Sequence, residues 1–133
     1  MEPLDRLIAE RECERLILDY AALNDAARWD DLAALYLPSG RMSRPSSPDV
    51  FVEGRQAILA AFQARPPRAS RHICANIKVS IQCSTQASAV SQILLFTSAE
   101  GRPLVGSYND RFELTSEGWR FAERRGSIDF TDN

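Results

Sequence analysis

Histidine is almost absent from this sequence, which has one copy, His72, and cysteine is scarce. The three cysteines are odd in number and show no C-x-x-C spacing, so neither a disulfide framework nor a zinc cluster is expected. The carboxylates show no ligand spacing that would complete a metal site around one imidazole. We therefore expect no metal and no cofactor, and we interpret the cysteines as buried free thiols: Cys13, Cys74 and Cys83.

Motifs of several large enzyme classes are also missing. The sequence has no G-x-S-x-G pattern, no P-loop and no G-x-G-x-x-G pattern. Serine hydrolase, nucleoside-triphosphatase and dinucleotide-binding functions therefore find no support.

The sequence has no excess of positive charge and no apolar run at its start. Its 16 lysine and arginine residues against 18 acidic residues give a net charge of −2, so nucleic acid is not an expected partner. The opening MEPLDRLIAERECERL is charged from its second residue, so we expect a cytoplasmic protein with no membrane partner. The residues present, 44% hydrophobic and 26% charged, are typical of one globular domain over residues 1–133.

The first half of the chain is predicted to be helical. Apolar residues recur at helical intervals from Leu4 to about Ala27, which predicts a long amphipathic helix. The segment RWDDLAALYLPSG predicts a short helix with Asp30 as its N-cap, ended by Pro38 and Gly40. MSRPSSPDV is typical of a loop, and VEGRQAILAAFQAR predicts a third helix. Three helices are thus expected before any strand.

After residue 70 the period of the pattern changes to two, which predicts strands. Strict alternation in SRHICANIKVSI places Asn76 on the same face as His72. Three more strands, at roughly 87–98, 103–115 and 119–130, follow with short Gly-containing connections, which predicts an antiparallel sheet. Helices ahead of such a sheet give an α+β domain, a cone in which the long helix covers the concave face beside an open-ended pocket.

Four segments, in this order and spacing, resemble the nuclear-transport-factor-2-like, or SnoaL-like, superfamily. They are YAALNDAARWDDLAALYLPSG, FVEGRQAILAAF, RHICANIKV and GSYNDRFELTSEGWRFAERR, and they cover nearly the whole chain. The resemblance implies a cystatin-like cone, with three N-terminal helices packed on a curved antiparallel sheet. It also implies a homo-oligomer, a dimer or a trimer. It is less specific for activity, because this fold carries enzymes, non-catalytic subunits and binding modules.

Within the superfamily, the sequence is similar to the scytalone dehydratases and the hexachlorocyclohexane dehydrochlorinases. In these enzymes an aspartate at the end of the first helix orients a histidine that begins a strand, and the matching residues are Asp25 and His72. An arginine on the last strand of the dehydrochlorinases matches Arg124 in FAERRGSI. The sequence departs from the dehydratases in lacking their second histidine, where it has Gln92 or a neighbour, and two tyrosines, one where Asn24 stands and one near RMSR. It departs from the dehydrochlorinases in having Tyr20 where they have lysine.

The residues that carry this resemblance suit removal of a proton from carbon next to a carbonyl or a leaving group. Neutral His72 would be the base, and Asp25 would fix its tautomer. Tyr20, Asn76 and Arg124 are the expected substrate-binding residues, as donors to the developing negative charge. In the structural alternative, His72 is a strand-edge residue with an ordinary hydrogen bond and Asp25 caps a helix.

Charged residues elsewhere have simpler interpretations. Arg124 reaches the pocket together with the aromatic residues before it only if the last strand has a bulge near Ala122 or Glu123; in the alternative, Arg124 and Arg125 are a solvated pair. Asp110, if it points inward, needs a partner and is interpreted as structural. The arginines of QARPPRASRH could steer an anion toward the pocket, but a charged run in a Pro-containing loop is usually solvated, which is the interpretation favoured for Arg65, Arg68 and Arg71.

Two functions of different class follow. The first is a cofactor-independent lyase or isomerase that uses His72 and Asp25 on a small hydrophobic or aromatic molecule. The alternative is a non-catalytic ligand-binding or accessory subunit, similar in role to the β chains of ring-hydroxylating dioxygenases. An enzyme should have the two residues hydrogen-bonded in an apolar pocket, whereas an accessory subunit can have that pocket filled by side chains.

Overall fold

The computed structural model describes residues 1–130, which form three helices and six strands. The helices are α1 (Pro3–Asp25), α2 (Trp29–Ala33) and α3 (Arg55–Gln63). The strands are β1 (Tyr36–Arg44), β2 (Ser47–Glu53), β3 (Arg71–Cys83), β4 (Gln86–Phe96), β5 (Leu104–Thr115) and β6 (Gly118–Ile128). None of these helices is long and apolar enough to cross a membrane.

The strands form one curved sheet in the order β2-β1-β6-β5-β4-β3, with the helices on its concave side. All neighbouring strands are antiparallel except β1 and β6, which run parallel, so the prediction of a wholly antiparallel sheet is wrong at that pair. α1 packs across β3 and β6, while α3 packs on β1 and α2. The predicted α+β architecture, helices on a curved sheet, is confirmed.

The long helix α1 buries one apolar stripe and ends in a defined way. The buried residues of the stripe are Ala9, Cys13, Leu16, Ile17, Tyr20 and Asn24. At its end the backbone N–H of Arg28 donates to the carbonyl of Leu23 at 3.0 Å, and the N–H of Ala27 donates to that of Asn24 at 3.1 Å. This is a Schellman motif, with Ala27 at φ 54° where glycine is usual. The motif fixes Asp25 as the last helical residue.

A β-hairpin, β1 and β2, precedes α3, so the prediction of three helices before any strand is wrong. Pro38 and Gly40, which suggest the end of a helix, both lie within β1. Pro38 lies where the register between β1 and β6 is interrupted, so it removes no ladder hydrogen bond there. A Cβ atom on Gly40 would lie 3.0 Å from the Phe121 carbonyl oxygen, so glycine permits the close approach of the two strands.

The second helix, α2, is shorter than predicted and begins differently. It has five residues and follows Arg28, which occupies the N-cap position. The predicted N-cap role of Asp30 is therefore wrong. Asp30 lies in the first turn, where its negative charge still favours the helix N-terminus.

The cysteines are all free, as predicted, but they are not all buried. Cys13 is buried in the core, and burial raises the pKa of its thiol to about 12. Cys74 is half-buried and Cys83 is exposed, so the prediction of buried thiols is wrong for Cys83. It lies at the very end of β3, beyond the part of the strand that packs on the core.

A β-bulge at Asn76 interrupts the alternation of β3. Asn76 has φ 53°, and the pairing with β4 shifts between Ala75 and Lys78. The prediction that Asn76 shares a face with His72 is wrong, because the extra residue reverses the phase and leaves Asn76 exposed. His72 and Cys74 consequently share the inner face with the half-buried apolar residues after the bulge: Ile77, Val79 and Ile81.

Because of the bulge, position 76 should tolerate glycine better than a β-branched residue. Asn76→Val should lower the free energy of unfolding by about 1–2 kcal/mol, because a β-branched residue is strained at positive φ, whereas Asn76→Gly should be tolerated. Urea denaturation would measure both. Asn109→Val, at an exposed position of β5, is the matched control and should be neutral. Equal losses at the two positions would contradict the assigned backbone conformation.

Candidate active site

The carboxylate of Asp25 and the imidazole of His72 meet where α1 ends and β3 begins. Asp25 Oδ1 lies 2.6 Å from His72 Nδ1, and it also accepts a hydrogen bond from the Ser70 hydroxyl at 2.9 Å. The backbone N–H of His72 donates to Asp25 Oδ2 at 2.8 Å. Both side chains are mostly buried, with 7% of His72 and 11% of Asp25 exposed. Three hydrogen bonds therefore hold this carboxylate in one orientation.

This contact defines the chemical state of the imidazole. A carboxylate can only accept, so Nδ1 carries the proton that points at Asp25 and the lone pair of neutral His72 is on Nε2. Burial lowers the pKa of His72 below its ordinary 6.5, and the charges of Arg68 and Arg65 add to this lowering. The hydrogen bond and charge of Asp25 oppose it. At neutral pH the ring is thus a neutral base.

His72 forms part of the wall of a cavity of about 350 Å³ at the open end of the cone. Apolar and aromatic side chains make up much of the wall: Tyr20, Met42, Phe62, Leu95, Leu104 and Tyr108. A larger cavity, of about 630 Å³, lies against the start of α1 and the end of β3, but neither Asp25 nor His72 lines it. We place the site in the smaller cavity because His72 lines it, while Asp25 holds the imidazole by a hydrogen bond without lining the cavity itself.

The predicted substrate-binding residues lie in three different environments. Tyr20 lines the cavity, and its hydroxyl lies 2.9 Å from that of Tyr36, so it is already paired. Asn76 lies on the outer face, away from His72, because of the bulge. Arg124 is buried but is not among the residues that line the cavity within the described part of the chain. Of the three, the structure brings only Tyr20 beside His72.

Arg124 lies behind the cavity wall and pairs with Asp110. Asp110 is its register partner on the neighbouring strand β5, and Arg124 Nε lies 3.0 Å from Asp110 Oδ1. Ala122 forms the bulge that turns it inward, because Phe121 and Glu123 pair with consecutive residues of β5. The guanidinium lies 3.8 Å from the Tyr108 ring centroid and 4.3 Å from that of Tyr20. Arg124 therefore supports two wall residues rather than contacting the cavity.

The ionised state of this pair follows from its surroundings. Burial raises the pKa of the Asp110 carboxyl to about 6, and the charge of Arg124 opposes that rise. Burial acts to lower the pKa of Arg124, but the charge of Asp110 and three tyrosine hydroxyls raise it overall. Both groups are thus charged at neutral pH, which fulfils the requirement for a partner that an inward Asp110 creates.

Two further residues of the wall, Ser43 and Asn24, were not among the predicted site residues. Ser43 Oγ and Asn24 Oδ1 are buried polar atoms that have no hydrogen-bond partner within residues 1–130. Asn24 follows Tyr20 by one helical turn, so helical spacing already places it on the inner face. Ser43 lies in a segment interpreted as a loop, and its inward direction becomes visible only once β1 is known. Within residues 1–130 there is no group of three or more His, Cys, Asp or Glu residues that could hold a metal ion.

Comparisons with known proteins agree with this architecture. The family model of the SnoaL-like domain matches residues 5–125. A candidate scytalone dehydratase from Novosphingobium aromaticivorans has a similar structure, with TM-score 0.85 and 24% identity over 99% of this chain and 92% of the other. A hexachlorocyclohexane dehydrochlorinase from Novosphingobium barchaimii gives TM-score 0.83 and 15% identity over 97% and 92% of the two chains.

A third solved structure is described as an NTF2-like protein with a cystatin-like fold, also from Novosphingobium aromaticivorans. It gives TM-score 0.85 and 21% identity over 97% of this chain and 87% of the other. No curated protein matches the chain in sequence. At these identities the similarity establishes the fold, and the prediction of a cystatin-like cone is confirmed.

The contact between Asp25 and His72 predicts how the imidazole titrates. Asp25→Asn should lower the pKa of His72 further, because it removes the negative charge that stabilises the imidazolium. Since His72 is the only histidine in the chain, its ring C–H signal in an NMR titration is unambiguous. Asp19→Asn, at an exposed position of the same helix, is the control and should leave that pKa unchanged. An unchanged or raised pKa in the Asp25 variant would rule out the contact in solution.

The buried ion pair predicts a large difference between two aspartates. Asp110→Ala should lower the free energy of unfolding by about 3–5 kcal/mol, because it leaves Arg124 charged and unpaired in the interior. Asp49→Ala removes a contact of 2.8 Å to Arg125, but that aspartate is 87% exposed and the loss should be small. Chemical denaturation of the two variants tests the contrast. Similar losses of unfolding free energy in the two variants would mean that water reaches the pair of Asp110 and Arg124.

Proposed function

The chain belongs to the SnoaL-like domain family, and from that membership together with the geometry of the site we propose a cofactor-independent lyase or isomerase. Its substrate is a small molecule with an apolar or aromatic body and an acidic C–H bond. The single observation that carries this proposal is the 2.6 Å contact between Asp25 and His72, whose imidazole forms part of the wall of a cavity. Solved structures with this fold include a dehydrochlorinase and a candidate dehydratase, which makes proton abstraction a reasonable expectation.

In the proposed reaction, His72 Nε2 takes a proton from a substrate carbon. Asp25 keeps the proton on Nδ1 and stabilises the imidazolium that forms. The electron pair of the broken C–H bond moves into the substrate, either onto a carbonyl oxygen or into a C=C bond as a leaving group departs. The imidazolium then returns its proton, to the leaving group in a lyase or to another carbon in an isomerase. No external oxidant or reductant is needed.

The cavity wall supports this chemistry in two ways. Its apolar side chains, among them Phe62, Leu95 and Leu104, exclude water and favour a neutral base. The Ser43 hydroxyl is free to donate to an oxygen that gains charge, and Asn24 Oδ1 is free to accept from a substrate hydroxyl. A buried polar group left unpaired costs roughly 1–3 kcal/mol, so a molecule that pairs with these atoms is favoured.

The accessory-subunit alternative is less favoured by the same cavity. A purely structural role gives no reason to keep a volume of about 350 Å³ open around a buried imidazole and unpaired polar atoms. A side chain could fill that space and would stabilise the fold. The open cavity therefore supports the binding of a small molecule, and the contact of Asp25 with His72, which lines that cavity, supports its conversion.

Proton exchange tests the first step without knowledge of the natural substrate. We expect the protein to accelerate exchange of the α-hydrogens of acetophenone, para-acetylbenzamide or para-acetylbenzoate in deuterium oxide, followed by NMR. His72→Gln should lower the rate by about 100-fold or more, since a positioned general base contributes about 10²–10⁴. The Asp19→Asn variant serves as the control. A His72→Gln variant that exchanges at the wild-type rate, or a wild-type protein no faster than buffer with all three ketones, would overturn the proposal.

The exchange rate should also depend on pH in one direction. Because burial lowers the pKa of His72 below 6.5, the active neutral form predominates at neutral pH and is lost as the solution becomes more acidic. The rate should therefore fall on acidification, with its midpoint below pH 6.5. A rate that rises on acidification would assign the step to another group.

A further inference from the structure

Three arginines contribute to the wall of the cavity that contains His72. They are Arg44, Arg65 and Arg68, and no aspartate or glutamate is among the described residues that line this cavity. Several arginines on other surfaces lie within 4.0 Å of a carboxylate, among them Arg28 and Arg41. By contrast, no carboxylate among the described wall residues balances the charge of the three cavity arginines.

The three side chains are held in place to different degrees. Arg44 Nη2 donates to the Ala61 carbonyl at 3.0 Å, while its Nε is buried and has no hydrogen-bond partner within residues 1–130. The Arg65 guanidinium lies 5.4 Å from the Phe62 ring centroid and 5.7 Å from that of Trp29. Arg68 is exposed at the entrance. A preformed donor, a half-buried cation and an exposed cation thus surround the same space.

This arrangement is unfavourable when the cavity holds only water. Burial lowers the pKa of Arg65, and the positive charges of Arg68 and Arg44 lower it further. Guanidinium groups keep their charge in proteins, so the three positive charges repel one another. The interpretation of Arg65 as a solvated residue is therefore wrong, since its half-buried side chain packs beside the stacked rings of Phe62 and Trp29 at the wall of the cavity. A bound anion would relieve the repulsion.

We propose that the substrate class of this site is an apolar or aromatic carboxylic acid, bound as its anion. Arg44 Nε, Arg65 and Arg68 hold the carboxylate, and the apolar body lies against Phe62 and Leu95 with its acidic C–H bond toward His72. The planar guanidinium is suited to a carboxylate, which accepts two parallel N–H bonds. This inference rests on the proposed function for the orientation of the substrate, with its C–H bond toward His72. Binding of the anion itself does not require turnover.

Isothermal titration calorimetry with a pair of isosteres tests the inference. para-Acetylbenzoate and para-acetylbenzamide have the same shape and differ in charge. At low ionic strength the wild-type protein should bind the anion at least about tenfold more tightly, as expected for a charge-assisted contact in a site of low dielectric. The preference should shrink as salt is added, because exposed Arg68 is screened.

Three variants distinguish an effect of the cavity arginines on anion binding from an effect of the net charge of the protein. Arg68→Gln and Arg65→Gln should each remove most of the preference for the anion. Arg71→Gln is the matched control, because Arg71 belongs to the same stretch of chain and is exposed, and alternation in β3 points it away from His72. Circular dichroism confirms folding, and since Arg68 is exposed its variant is expected to fold even if the Arg65 variant does not.

The outcomes distinguish this inference from the proposed function. Equal affinity for the two isosteres, or an equal loss of preference in the Arg71 and Arg68 variants, would overturn the anion site. A His72→Gln variant that keeps the preference while exchange is lost supports both proposals. A wild-type protein that prefers the anion but catalyses no exchange would keep the anion site and reject the base.

Discussion

The structure depends on one carboxylate. Asp25 is the last residue of α1, and it accepts hydrogen bonds from the Ser70 hydroxyl, the His72 backbone N–H and the His72 ring. These bonds join the end of the first helix to the start of a strand that follows it by more than forty residues. The same contact orients the only imidazole of the chain. One interaction therefore both attaches the end of α1 to β3 and prepares the proposed base.

Two irregular strand positions complete the site. The bulge at Asn76 sets the phase of β3 so that His72 faces inward together with the apolar residues after the bulge. The bulge at Ala122 turns Arg124 inward to meet Asp110. The resulting ion pair supports the rings of Tyr20 and Tyr108, which line the cavity, and so contributes to the shape of the wall without contacting its contents.

Much of the fold was predictable because its signals are periodic. The helical spacing of α1 and the alternation of β4 to β6 give the α+β class, and the resemblance suggested Asp25 and His72. β1 was missed because Pro38 and Gly40 normally end elements, and only the neighbouring strand β6 explains why both are accommodated. Because Ser43 lies in β1, its inward position was missed as well. The bulge at Asn76 had no visible signal, because apolar residues alternate without interruption through it, from Ile73 to Ile81, and only the burial of the strand changes phase.

The bulge at Asn76 has a second consequence, which concerns solubility. β3 is the outermost strand of the sheet on its side, and such a strand offers unpaired backbone groups to which another chain can add and begin an aggregate. A local kink and the neighbouring charge of Lys78 make that edge a poor template. At the start of the strand, the Asp25 carboxylate already occupies the backbone N–H of His72. The features that aim the base into the cavity thus also protect the chain from self-association through this edge.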